Sequence, residues 1–219
     1  MKKTVTIMLG VLVSLLVFAV ISCEKLDVVG TDSSRAFGEL LAAVPQPAAY
    51  DAANGGWSLS APDNSVRFIW SVHTLMMELD AAPFIAAGLD PEKLPNTIIF
   101  DEDKIIVGAN SGAEQLSNEE DTPLAAYQHI VKLKRQTLGY HGQMDHYGLS
   151  LGNGHLFEWA KNMKTNDKDM VFVLEPEPFI AAGVDPDQID GWVFTKVTID
   201  DENGKPIEVD KILKPFDVQ

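Results

Sequence analysis

The chain writes the same nine-residue phrase twice, PFIAAGLDP from Pro83 to Pro91 and PFIAAGVDP from Pro178 to Pro186. The copies lie 95 positions apart and differ only at Leu89 against Val184. Their flanks extend the match, from Met77 to Leu94 and from Val173 to Ile189. Upstream, Phe68-Ile69-Trp70 recurs as Phe157-Glu158-Trp159 at an offset of 89. Tyr50, Trp57 and Leu59-Ser60 recur as Tyr140, Tyr147 and Leu149-Ser150 at an offset of 90. An ordered series of matches marks a tandem duplication, with halves at 33–112 and 122–219. Offsets that grow to 95 place one insertion in the second half, around Lys164 to Lys168. The period exceeds the roughly 20–50 residues of solenoid units. A half of this size buries a core only marginally by itself. The expectation is therefore one body, fused about a pseudo-two-fold axis.

Each half has the same layout. A helix opens it, Ser33 to Val44 with Phe37, Leu40 and Leu41 at helical spacing, or Thr122 to Leu138 with Leu124, Tyr127, Val131 and Leu138 on one face. Thr122 suits the cap and Pro123 the first helical position. Lys132, Lys134 and Arg135 fall near the C-terminal end, where cations complement the helix dipole. A Gly-rich passage read as irregular follows, and then the Phe-x-Trp segment. Next come a strand (Leu75–Leu79 or Val171–Leu174), the repeated phrase and a hairpin. The first hairpin pairs Thr97–Phe100 with Lys104–Val107. The second pairs Trp192–Ile199 with Ile207–Ile212 across Asn203-Gly204, a strong turn signal. The class is α+β with a largely antiparallel sheet.

The phrase itself reads as punctuation. Pro83 and Pro178 open a short helical turn, Gly88 and Gly183 end it in a left-handed conformation, and Asp90 and Asp185 cap a second turn. The acidic approach, Asp80 in one half and Glu175 and Glu177 in the other, has the chemistry of a cation site, although capping explains it equally.

The N-terminus belongs to a different argument. Met1-Lys2-Lys3 precedes an apolar run from Thr4 to Ile21 that ends at Ser22 and the only cysteine, Cys23. A basic start, an apolar stretch and small residues before a cut mark a secretory signal. Val20-Ile21-Ser22-Cys23 resembles the lipobox of bacterial lipoproteins. The resemblance covers about two dozen residues and departs from the commonest pattern in its Val-Ile-Ser. It implies a signal peptide at 1–22, an acylated Cys23, a tether at 23–32, and a mature body held extracytoplasmically on a membrane of the cell envelope. With Cys23 acylated, no thiol is left for a disulfide, a thiolate metal site or a cysteine nucleophile.

Loss of Lys2 and Lys3 with the signal leaves 15 basic against 32 acidic residues, a net charge of −17. Such a surface repels phosphate backbones, which argues against nucleic acid, and attracts cations or a basic protein partner.

Three stretches carry candidate chemistry. Gly148-Leu149-Ser150-Leu151-Gly152 fits G-x-S-x-G, the nucleophile elbow of serine hydrolases. The matching Leu59-Ser60 lacks the flanking glycines, and no acid stands between Ser150 and His155, so this is the weakest reading. Asp200-Asp201-Glu202-Asn203-Gly204 hints at a calcium loop but would put Ile199 at the first ligand position. The halves differ most at Tyr140-His141-Gly142-Gln143-Met144-Asp145-His146-Tyr147, where the first copy has neither His nor Met. Imidazole and thioether suit copper or haem iron, with His141, Met144 and His146 as the ligands. Tyr140, His141, Met144, His146, Tyr147, His155 and Trp159 form the candidate ligand-binding set. Symmetric aromatics such as Trp70 and Trp159 also suit a shared core.

These observations point to a membrane-anchored, non-enzymatic binding protein that holds a small molecule or a protein. Metal or haem handling at His141/Met144/His146 is the first alternative, and an acidic inhibitor of a basic envelope protein the second.

Overall fold

The computed structural model describes residues 30–110, 122–165, 168–200 and 205–218. The signal at 1–22, Cys23, the tether up to residue 29, and the turn at Asn203-Gly204 lie outside the described residues. No helix among the described residues is long and apolar enough to cross a membrane.

The first half begins with helix α1 (residues 30–43). Strands β1 (Ala49–Asp51), β2 (Gly56–Ser60), β3 (Val66–Trp70) and β4 (Thr74–Asp80) follow. Helix α2 (Ala82–Ala86) and strands β5 (Ile98–Asp101) and β6 (Lys104–Asn110) complete it. The second half repeats this order with α3 (Pro123–Leu133), β7 (Leu138–His141), β8 (His146–Gly152), β9 (His155–Ala160) and β10 (Asp169–Leu174). It closes with α4 (Glu177–Ala181), β11 (Val193–Asp200) and β12 (Pro206–Asp217). Each half forms a six-stranded antiparallel sheet, in the orders β1-β2-β3-β4-β6-β5 and β7-β8-β9-β10-β12-β11. The two orders are identical, position for position. The chain is an α+β duplication.

Two expectations are corrected. The Gly-rich passages are hairpins rather than irregular: Tyr50 pairs with Trp57, and Tyr140 with Tyr147. Local reading missed them because each hairpin has one short strand and glycines where side-chain alternation would show. The second opening helix stops at Leu133 and passes through a 3-10 turn at Arg135–Thr137, so Leu138 begins a strand. Thr122 caps that helix as its position suggests, its Oγ1 accepting from the Ala125 N–H at 3.2 Å. The insertion is where the offsets put it: β3 and β4 are joined by residues 71–73, β9 and β10 by 161–168.

The halves pack through residues that meet their own counterparts, as side chains lying on a two-fold axis must. Phe37 stacks on Tyr127 with centroids 4.2 Å apart, Phe68 on Phe157 at 4.3 Å, and Phe84 contacts Phe179 at 5.2 Å. All six rings are fully buried. Trp70 and Trp159 meet Phe37 edge-on at 5.4 and 5.2 Å. Trp70 also donates from Nε1 to the Pro123 carbonyl of the other half at 3.0 Å. One continuous apolar cluster runs through both sheets and both opening helices. Burial of this much aromatic surface drives the association, at ~25 cal/mol per Å² of apolar area.

The repeated phrase completes the axis. The Asp90 N–H donates to the Ala182 carbonyl at 2.8 Å, and the Asp185 N–H to the Ala87 carbonyl at 2.9 Å. These two bonds are one bond written twice by the pseudo-symmetry. The phrase therefore joins the halves to each other, which its local reading as a connector did not contain.

Candidate functional site

The second sheet is curled until its two edge strands meet. His141 at the end of β7 donates from Nε2 to the Thr198 carbonyl of β11 at 3.1 Å. The concave face so formed encloses a cavity of about 600 Å³. Period-2 alternation decides its lining. Leu149, Phe157, Trp159, Phe172 and Leu174 face the core, while Ser150, Leu156, Glu158, Val173, Lys211 and Leu213 face the cavity.

The same face of the first sheet is occupied by charge. Arg67 and Glu78 are cross-strand partners. Arg67 forms a close ion pair with the Glu78 carboxylate through Nη2 and another with Asp51 at 2.9 Å. Asn54 Nδ2 donates to both carboxylates at 3.1 Å. The equivalent partners in the second sheet are Leu156 and Val173. The duplication has thus exchanged an ion-pair network for an apolar floor. A reverse exchange sits one pair along, where the buried Ile69 of β3 corresponds to Glu158 of β9.

Glu158 is buried, and its Oε2 faces two imidazoles, 3.6 Å from His141 Nδ1 and 3.8 Å from His146 Nδ1. His141 and His146 are themselves cross-strand partners on β7 and β8. His146 Nε2 engages Asp169 Oδ1 at 2.9 Å. Burial is the largest single influence on His146 and opposes its charge, but Asp169 and Glu158 together outweigh it and hold the imidazole at about 9. His141 is raised, first by the Glu158 carboxylate that its Nδ1 faces. Burial pushes Glu158 up most strongly, yet the two imidazoles keep its carboxyl below the ordinary value. The result is a compact, internally neutralised network at one end of an apolar cavity.

Side-chain-less wall lies beside it. Gly139 and Gly148 are opposite each other on β7 and β8, and Gly148 is opposite Glu158. A Cβ at Gly139 would meet nothing within 4 Å. Glycine in a strand leaves room for close approach to the backbone.

The expected site residues divide between the two faces. His141 and Met144 line the cavity, as does Tyr140 at the rim, where its hydroxyl engages Asp145 and Lys161 lies over its ring at 5.1 Å. His146 supports Glu158 from behind. Tyr147 and Trp159 point into the core instead, Trp159 against Phe37 and Tyr127. His155 is also elsewhere: its Nδ1 accepts from the Glu175 N–H at 3.2 Å beside the Phe179 ring, and burial, then Lys211, lowers it to about 4. Among the described residues, no group of three or more His, Cys, Asp or Glu is arranged to hold a metal ion. His141 and His146 each engage an oxygen partner through Nε2, and the Nδ1 of each faces the Glu158 carboxylate.

Ser150 lies within β8, and a turn carries the chain into β9, so no helix follows as an elbow requires. Asp90 and Asp185 cap as expected, each Oδ1 accepting an N–H two residues on at 3.2 Å. Glu175 is engaged by Lys211 in a close ion pair. Sequence reading passed over Glu158, Asp169, Lys211 and the Leu156/Val173 pair. Glu158 was visible in the aligned halves as the charged centre of a Phe-x-Trp whose counterpart is isoleucine.

The chain matches no protein-family model, no curated protein and no solved structure.

Proposed function

We propose that this chain is a membrane-anchored binding protein of the bacterial envelope, tethered through acylated Cys23, that holds a small, largely apolar molecule on the concave face of its second sheet. One observation carries the reading: a charged pair in one half, Arg67 and Glu78, is apolar in the other, Leu156 and Val173, where a cavity of about 600 Å³ opens. That volume lies in the range of small-molecule sites, which are mostly apolar with a few placed polar groups. Gly139 and Gly148 leave the wall open, and Glu158 with His141 supplies the polar end. Binding rather than turnover fits a carboxylate already neutralised by two imidazoles, since a general base works best when poised near neutrality.

The test uses the neutral fluorophore N-phenyl-1-naphthylamine and the mature body without its lipid. Fluorescence should rise on binding, with a dissociation constant in the micromolar range. Gly139→Trp should weaken binding at least tenfold while leaving the melting temperature near that of the parent. Absence of binding, or equal binding by both proteins, would sink the proposal.

A further inference from the structure

The two sheets differ along one register row. In the first sheet Ala49, Ser58 and Ile69 stand opposite one another across β1, β2 and β3. Gly139, Gly148 and Glu158 hold the same places across β7, β8 and β9. The second sheet has thus lost two side chains and gained a carboxylate in a single line. Ser58 also covers its own backbone, donating from Oγ to the Ala49 carbonyl at 3.1 Å. Gly148 has no side chain to do so. All three residues of the second row line the cavity of the curled sheet. Neither glycine has a positive φ, so the backbone does not demand them. Crowding does not demand Gly139 either, since a Cβ there would meet nothing within 4 Å. A Cβ on Gly148 would lie 3.1 Å from Glu158 Cγ and 3.6 Å from Oε1, so that oxygen lies along the strip. Oε2 is the oxygen that faces His141 and His146.

We infer that this strip holds a flat, uncharged ring system edged by an N–H or O–H, its face on the bare backbone of Gly139 and Gly148 and its donor on Glu158 Oε1. The inference rests on the proposed small-molecule reading and adds the ligand's shape and the group that recognises it. What the two glycines provide is close approach to the peptide planes of β7 and β8. Neighbouring strands lie ~4.8 Å apart, so the strip from β7 to β9 is about 10 Å long, enough for two fused six-membered rings. With the imidazoles on Oε2, the oxygen left to a ligand is an acceptor, which one donor satisfies without a charge. A hydrogen bond to an ionised carboxylate is roughly twice as strong as a neutral one, so a ring lacking the donor is selected against.

Displacement of N-phenyl-1-naphthylamine from the mature body by three bicyclic probes tests it. 2-Naphthol is flat and carries an O–H, 2-methoxynaphthalene is flat without one, and decahydro-2-naphthol has the O–H on a puckered ring. 2-Naphthol should show an inhibition constant at least tenfold below that of either other probe, each corrected for the affinity of the dye. Glu158→Ile, which restores the residue type of the first sheet, should remove the preference for 2-naphthol over 2-methoxynaphthalene. Glu158→Gln keeps the shape with a neutral acceptor and should cut that preference at least threefold, which decides the matter if the isoleucine variant does not fold. Gly139→Ala places its methyl in open space and should cut the preference for 2-naphthol over decahydro-2-naphthol at least threefold. Equal potency of 2-naphthol and either other probe with the parent, or a preference kept in full by the folded variants, overturns the inference while leaving the cavity reading standing. Failure of the fluorophore to bind the parent overturns both.

Discussion

Gly88 and Gly183 face each other across the pseudo-two-fold axis so closely that a Cβ on Gly88 would lie 2.7 Å from the Gly183 carbonyl oxygen, and the reverse contact would be 2.9 Å. Both have positive φ, 103° and 98°. Two independent constraints therefore demand glycine, the local left-handed turn and the approach of the other half. Gly88→Ala and Gly183→Ala should each cost about 2–4 kcal/mol, more than a left-handed penalty of roughly 1–2 kcal/mol alone. The double variant should cost less than the sum, because one relaxation relieves both clashes. Urea unfolding measures this, and strict additivity would place the two sites out of contact.

The stacked pair Phe68 and Phe157 joins the sheets at the axis. Either Phe→Ala change should destabilise by about 3–5 kcal/mol, the usual cost for a buried ring. Unfolding should remain a single transition in the parent, since the two halves share one core. Two separable transitions would mean that each half folds alone.

Arg67 holds Asp51 and Glu78, which are largely buried. Arg67→Leu alone should cost about 3–5 kcal/mol by leaving buried carboxylates unpaired. Arg67→Leu with Glu78→Val, the arrangement of the second sheet, should recover more than half of that. Denaturant midpoints decide between recovery and a simple sum.

Histidine linkage should give the protein a stability maximum near pH 6.5–7. His146 is raised to about 9 in the folded chain, so its contribution is complete below the unfolded value of about 6.5 and is lost as pH rises to about 9. His155 is lowered to about 4, so the unfolded chain binds its proton more readily, and stability falls as pH drops from about 6.5 to about 4. Each limb is on the order of 3 kcal/mol. His155→Gln should flatten the acid limb and His146→Gln the alkaline one, read from unfolding curves at pH 4.5, 6.5 and 9. A His146→Gln protein that keeps the full alkaline decline would contradict the assignment.

Acylation of Cys23 should carry the full chain to the membrane fraction, with a mass increment of a lipid-modified N-terminus. Cys23→Ala should release it or leave the signal uncut. Unmodified Cys23 in the isolated protein would remove the tether from the proposed function.

The duplication, the closing hairpin of each half and the place of the insertion were legible in the sequence, because repeated spacing survives without any knowledge of contacts; the hairpins β1–β2 and β7–β8 were not. His141 and Met144 were legible for a related reason: they stand where one copy departs from the other. Tyr147 and Trp159 were assigned to the ligand because aromatic character alone does not tell which face of a strand a side chain takes. The register of β8 and β9 does, and it turns both rings into the core.

By itself, then, the sequence determined that two alike halves exist, that each carries hairpins and capped turns, and that one loop had diverged. These are local or periodic properties, written in propensities and spacings. Only the tertiary structure decided that the repeated phrases bond to each other, that Phe37 meets Tyr127, and that the second sheet curls far enough for His141 to reach Thr198. Such contacts join residues tens of positions apart. Their free energy comes from burying both partners at once, which no single stretch of chain records.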